Sequence, residues 1–134
     1  MKQDFWLKVG KLFVLGWSLL ILMLCLMPSD DLPKKEWLPN LDKVAHFVFY
    51  FVLSVAVLFV CSVKKAAPSA PIVIAFLFAC SYAIELLQLL LPINRSFSYF
   101  DLVANLLGLL VGWLLFWKVI GPSSQLFWNK KPKP

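Results

Sequence analysis

Four long apolar runs, separated by short polar stretches, lay out the chain. The first, Leu12 to Met27, contains one hydroxyl, Ser18; with Phe5 to Leu7 it reaches the roughly 20 residues that cross a bilayer as a helix. The second runs from Lys43 to Val63, the third from Ile72 to Leu91 with Pro92 as its stop, and the fourth from Asp101 to Ile120. All are too long and too evenly apolar for strands, which in a membrane barrel would alternate. The pattern predicts an all-α membrane protein: four transmembrane helices at about 7–27, 43–63, 72–91 and 101–120 in an antiparallel bundle, forming a single domain over 1–134 with a basic tail at 121–134.

The polar stretches fit this layout. Residues 28–42 hold three prolines and form the longest loop, with at most an interfacial turn at Trp37. Asn40 is a candidate N-cap for the second helix, and Asp42 lies in its first turn. Residues 64–71 are a tight basic connection, and 92–100 a short polar turn. No small-x-small cleavage site precedes Pro28, and bulky Leu24 precedes Cys25, so the first run is expected to be a permanent span. Small residues recur every four positions at Ala75, Ala79 and Ala83, and again at Ala104, Gly108 and Gly112. Such spacing lets backbones approach closely, which predicts that the third and fourth helices pack as an antiparallel hairpin.

Composition supports the membrane reading: 61% of residues are apolar and 15% charged, and mean hydropathy is +0.82. The net charge of +6 then bears on orientation and on attraction to anionic lipid, because no nucleic-acid motif accompanies it. Nine Lys residues lie in the amino terminus, the middle loop and the tail, against four Lys and Arg in the other two loops and adjoining helix ends, so both termini are expected in the cytoplasm. Cys25, Cys61 and Cys80 all fall in apolar runs and read as small hydrophobes, not a disulfide framework.

Seven polar groups fall in one layer under this topology, with Lys43 beside them. Asp42 and His46 open the second span, Glu85 and Gln88 lie near the end of the third, Arg95 is in the turn, and Asp101 and Asn105 open the fourth. At about 1.5 Å rise per residue, His46 and Asn105 lie roughly 6 Å inside their helix starts and Glu85 roughly 10 Å below Pro92. Asp42, His46 and Tyr50 share one face; Tyr82, Glu85 and Gln88 share another; Asp101 and Asn105 align with Gly108 and Gly112. Each residue also has a structural reading. Ser98-x-x-Asp101 is a candidate capping box, Lys43 can snorkel, and Gln88 and Asn105 can tie helices together. Arg95 is expected to pair with Glu85 through a bidentate hydrogen bond.

These residues carry a resemblance to the VanZ-like family of small bacterial integral membrane proteins. The matching positions are Asp42-Lys43-x-x-His46-Phe47, Glu85-x-x-Gln88, and Arg95-x-x-Ser98-x-x-Asp101-Leu102-x-x-Asn105 with Gly108 and Gly112. They span the second to fourth helices; the first resembles the family only in being apolar. The resemblance implies a multi-pass protein of the bacterial cytoplasmic membrane and cell envelope, whose named relative gives low-level resistance to the glycopeptide teicoplanin.

Three function classes compete. An enzyme acting on a lipid-linked or headgroup substrate would use His46 and Glu85 as acid and base with Asp42 orienting His46. Lys43 and Arg95 would bind phosphate or carboxylate, with Gln88, Asp101 and Asn105 as further binding groups. No serine sits in an activated motif. A metal site through Asp42, His46, Glu85 and Asp101 is conceivable, but one His and no nearby Cys are thin for zinc, so no metal and no cofactor are expected. A non-catalytic binder of a membrane lipid or amphiphilic envelope molecule fits a nearly balanced charge set, Asp42, Glu85 and Asp101 against Lys43 and Arg95. A transporter lacks support, since no internal repeat is present and the polar groups stop near one face. The bland alternative is a membrane protein whose polar residues only hold the helices together.

Overall fold

The computed structural model describes residues 2–28, 40–63 and 69–120. The turn expected at Trp37, the connection at Lys64 and Lys65 and the tail 121–134 lie outside the described residues. The four helices are α1 (Lys2–Leu26), α2 (Leu41–Val63), α3 (Ala70–Leu90) and α4 (Tyr99–Leu115), the last continued by a π-helical turn over Phe116–Ile120. Each helical segment is long and apolar enough to cross a membrane, and the described residues contain no strand. The 21 residues of α3 span about 32 Å, against a hydrocarbon core of about 30 Å.

Local chemistry sets the helix ends. α1 begins five residues earlier than its apolar run suggests, because Gln3 Nε2 donates to the carbonyl of Val63 at 3.0 Å and ties the first turn of α1 to the end of α2. Asn40 starts α2 through its carbonyl, which accepts from Lys43 and Val44 at 3.1 and 3.2 Å. Its φ of 69° is left-handed, not the extended conformation of an ordinary N-cap. α3 stops at Leu90 because Leu91, ahead of Pro92, is extended with ψ 147°. Asn94 takes the left-handed conformation, φ 53°, in the turn that follows.

Consecutive helices run in opposite directions. Gln3 at the start of α1 meets Val63 at the end of α2, whereas Cys25 near the end of α1 accepts from Gln88 near the end of α3. His46 and Asn105, both near helix starts, pair α2 with α4 in parallel. A core of Ile21, Tyr50, Leu53, Leu77 and Leu109 fills the centre, and Trp17 Nε1 donates to the Phe49 carbonyl at 2.9 Å, fastening α1 to α2. Outside, Leu12, Ile72 and Phe76 are exposed, as lipid-facing side chains must be.

α3 and α4 pack as the antiparallel hairpin that the sequence predicts, joined at Glu85 and Ser98, but the small residues of α4 face α2, which forms the tightest pair with it. A Cβ at Gly108 would collide with the Phe47 carbonyl oxygen, and one at Gly112 would lie 2.7 Å from the Phe51 carbonyl oxygen. Ser54 Oγ donates to the Leu109 carbonyl at 2.9 Å along the same seam. On α3 the inward ridge is Val73, Leu77, Ser81, Glu85 and Gln88, while Ala75, Ala79 and Ala83 face outward. The polar and small-residue faces therefore coincide on α4 but not on α3. Tyr82 is likewise exposed, with its ring edge-on to Phe97, and does not share the inward face of Glu85.

Candidate functional site

The start of α4 is the hinge of the site. Ser98 is its N-cap, and Ser98 Oγ accepts the backbone N–H of Asp101 at 3.2 Å. In a reciprocal capping box the acid three residues on would accept the Ser98 N–H. Here that N–H donates to Glu85 Oε2 of α3, at 3.2 Å. Asp101 is capped through its backbone while its carboxylate turns to other partners. Glu85 gains a place at the positive end of a helix, where a carboxylate is favoured.

His46 completes the cluster from α2. Its Nδ1 lies 3.0 Å from Asn105 Oδ1. An amide oxygen only accepts, so Nδ1 is the donor in this contact and Nε2 is the ring nitrogen that faces the cluster. Nε2 lies 3.9 Å from Asp101 Oδ2, close but beyond hydrogen-bond range. One ligand atom each from His46, Glu85 and Asp101 lies within 4.8 Å of the others. Glu85 Oε1 and Asp101 Oδ1 are both buried without a hydrogen-bond partner. Glu85 is fully buried, while the side chains of His46 and Asp101 keep 8% and 13% of their exposure, so the cluster opens toward the surface past Asp101.

The remaining predicted residues take other places. Asp42 Oδ2 pairs with Lys43 Nζ at 3.3 Å, both side chains about a third exposed. His46 is therefore oriented by Asn105, not by Asp42. Gln88 is buried but donates to the Cys25 carbonyl at 2.7 Å, so it fastens α3 to α1. Arg95 is half-buried in the turn and makes no ion pair with Glu85; the Ser98 N–H holds the position expected of its guanidinium. The charge balance changes with it. Lys43 pairs outside the cluster with Asp42, and Arg95 acts on Glu85 from the turn without an ion pair, so His46 is the basic group in closest reach of the buried carboxylates.

Two contributions are absent from the sequence-based site. The Cys25 carbonyl brings α1 to the edge of the cluster through Gln88, and a backbone carbonyl leaves no mark in sequence. The second lies beyond the cluster, in the seam of α2 and α4: buried Ser54 donates to the Leu109 carbonyl and extends the four-residue spacing of Asp42, His46 and Tyr50 by one more turn.

A family model described as VanZ/LLP1 matches residues 6–121. No curated protein and no solved structure matches the chain.

Proposed function

The chain belongs to the VanZ/LLP1 family, and from that premise we propose that it is a cell-envelope protein whose buried polar cluster binds or acts on a lipid-linked or amphiphilic envelope molecule. The observation that carries this reading is the pair of orphaned carboxylate oxygens, Glu85 Oε1 and Asp101 Oδ1, held beside His46 at one end of an otherwise apolar bundle. Unsatisfied buried polar atoms are costly, and ionisable groups inside a membrane protein are functional-site candidates by default. With both termini in the cytoplasm, the cluster lies near the external face of the bacterial cytoplasmic membrane. Lys43 and Arg95, at the margin, are the groups to meet a phosphate or carboxylate headgroup. His46, with its Nε2 turned toward the cluster, is the candidate acid or base.

The family resemblance further implies a contribution to teicoplanin-type resistance, and the cellular test is teicoplanin susceptibility of a sensitive host expressing the wild type, Glu85→Gln or His46→Ala at matched membrane levels. The wild type lowers susceptibility, and both variants return it to the vector level while the folded protein accumulates. Variants as protective as the wild type would overturn the site, and a wild type without effect would overturn the resistance role.

A structural network is the second reading, favoured by the Glu85–Ser98 and Gln88–Cys25 hydrogen bonds, which tie three helices together. It predicts that any loss of function tracks loss of folded protein.

A further inference from the structure

We propose that His46, Glu85 and Asp101 hold a divalent first-row transition cation, Zn²⁺ or Mn²⁺. The three residues come from three helices and offer one ligand atom each within 4.8 Å of one another. A cluster of acids alone would mean little. This one is buried, and two of its oxygens, Glu85 Oε1 and Asp101 Oδ1, have no hydrogen-bond partner. Lys43 is engaged with Asp42, and Arg95 makes no ion pair with either buried carboxylate. A single cation between the carboxylates satisfies both orphaned oxygens.

The surroundings are arranged as outer-shell partners of metal ligands are. Asn105 Oδ1 holds His46 Nδ1, which fixes the ring and leaves Nε2 available to a metal. The Ser98 N–H holds Glu85 Oε2, which leaves Oε1 for coordination. Ser98 also caps the backbone of Asp101 and so spends none of its carboxylate. One imidazole and two carboxylates form a mixed N/O set suited to Zn²⁺ or Mn²⁺ and unsuited to soft cations that prefer sulfur. Ligand bonds of about 2.0–2.2 Å place neighbouring donors roughly 3–3.5 Å apart, so closure from the observed spacing takes small side-chain rotations. Three protein ligands leave positions open for water or a phosphate oxygen, as in catalytic rather than purely structural sites. The apparent weakness of the set for zinc, a single histidine without cysteine, is offset by the two unpartnered carboxylates on neighbouring helices.

This deepens the reading of the cluster as the working site, and its test needs no envelope molecule. The full chain is purified in mild detergent from cells grown with Zn²⁺ and Mn²⁺, and bound metal is counted by elemental mass spectrometry. Thermal stability is followed through chelation and re-addition of each cation alone. The wild type carries close to one metal per chain, loses stability on chelation and regains it with one of the two cations. Glu85→Gln and Asp101→Asn carry less than a tenth as much, do not respond to chelator, and melt no lower than the metal-free wild type, because each keeps the size of the side chain and an amide oxygen as acceptor. Asp42→Asn, altered in a nearby acid outside the cluster, keeps its metal. A wild type that binds no metal and shows no stability response to millimolar Zn²⁺ or Mn²⁺ overturns the proposal. So does a Glu85→Gln protein that retains its full complement, which would place the ion elsewhere. Either failure leaves the envelope reading standing, and a failed envelope assay leaves the metal count unaffected.

Discussion

Glu85 Oε2 accepts the backbone N–H of Ser98 at 3.2 Å, so a carboxylate near the end of α3 caps the first turn of α4. The bond places Glu85 near Asp101 and His46, and it explains why Asp101, the residue a reciprocal capping box would use, keeps its carboxylate for the cluster. Ser98 works in both directions, donating from its backbone and accepting at its hydroxyl.

Removing only the hydroxyl separates those two roles. Ser98→Ala loses the cap on Asp101 but keeps the N–H that Glu85 accepts. It should cost about 1 kcal/mol of stability, in the ordinary range for an N-cap. The check is thermal unfolding in detergent, alongside a Glu85→Gln protein that keeps a hydrogen-bond acceptor at the same place.

Packing gives a second expectation. Gly108→Leu should destabilise the protein by at least about 2 kcal/mol, because the side chain would be driven into the α2 backbone at Phe47 and Phe51. Gly16→Leu should change little, since a Cβ there meets nothing within 4 Å. Ala79→Leu should also be tolerated, because Ala79 is exposed. A large loss in Ala79→Leu, measured by thermal unfolding, would restore the α3 alanine face as a helix contact.

Topology is checked by cysteine labelling in a background without Cys25, Cys61 and Cys80. Ser69 and Ser96 are exposed at opposite ends of α3. A probe that does not cross the membrane should label Ser96→Cys from outside and Ser69→Cys only after permeabilisation. The reverse result would put the cluster at the cytoplasmic face.

Much of this arrangement is readable from the chain. Apolar runs of membrane length have one common outcome in lipid, so the four helices follow from hydropathy alone. The polar layer follows from arithmetic: His46 and Asn105 lie similar distances from their helix starts, and Glu85 lies a comparable distance from its helix end. Which surfaces meet is harder to read. Gly108 and Gly112 permit close approach but do not name the partner, and it is α2 that fills the space. Ala75, Ala79 and Ala83 have the same spacing and face outward. Nearness in sequence points to an Arg95–Glu85 pair. The turn through Pro92 and Asn94 instead brings the Ser98 N–H to Glu85, a donor that every residue type except proline carries.

The central claim is that the buried cluster works on a ligand and does not merely join helices, and Asp101→Asn tests it most directly. The substitution keeps the size of the side chain and the backbone N–H capped by Ser98, and removes only the carboxylate. Native mass spectrometry of wild type and Asp101→Asn, released from the same membranes in mild detergent, reads the retained envelope lipid or lipid-linked species. The account predicts a bound species on the wild type that is lost from Asp101→Asn, with both proteins equally folded by thermal unfolding. The same species at the same occupancy on both proteins would contradict it.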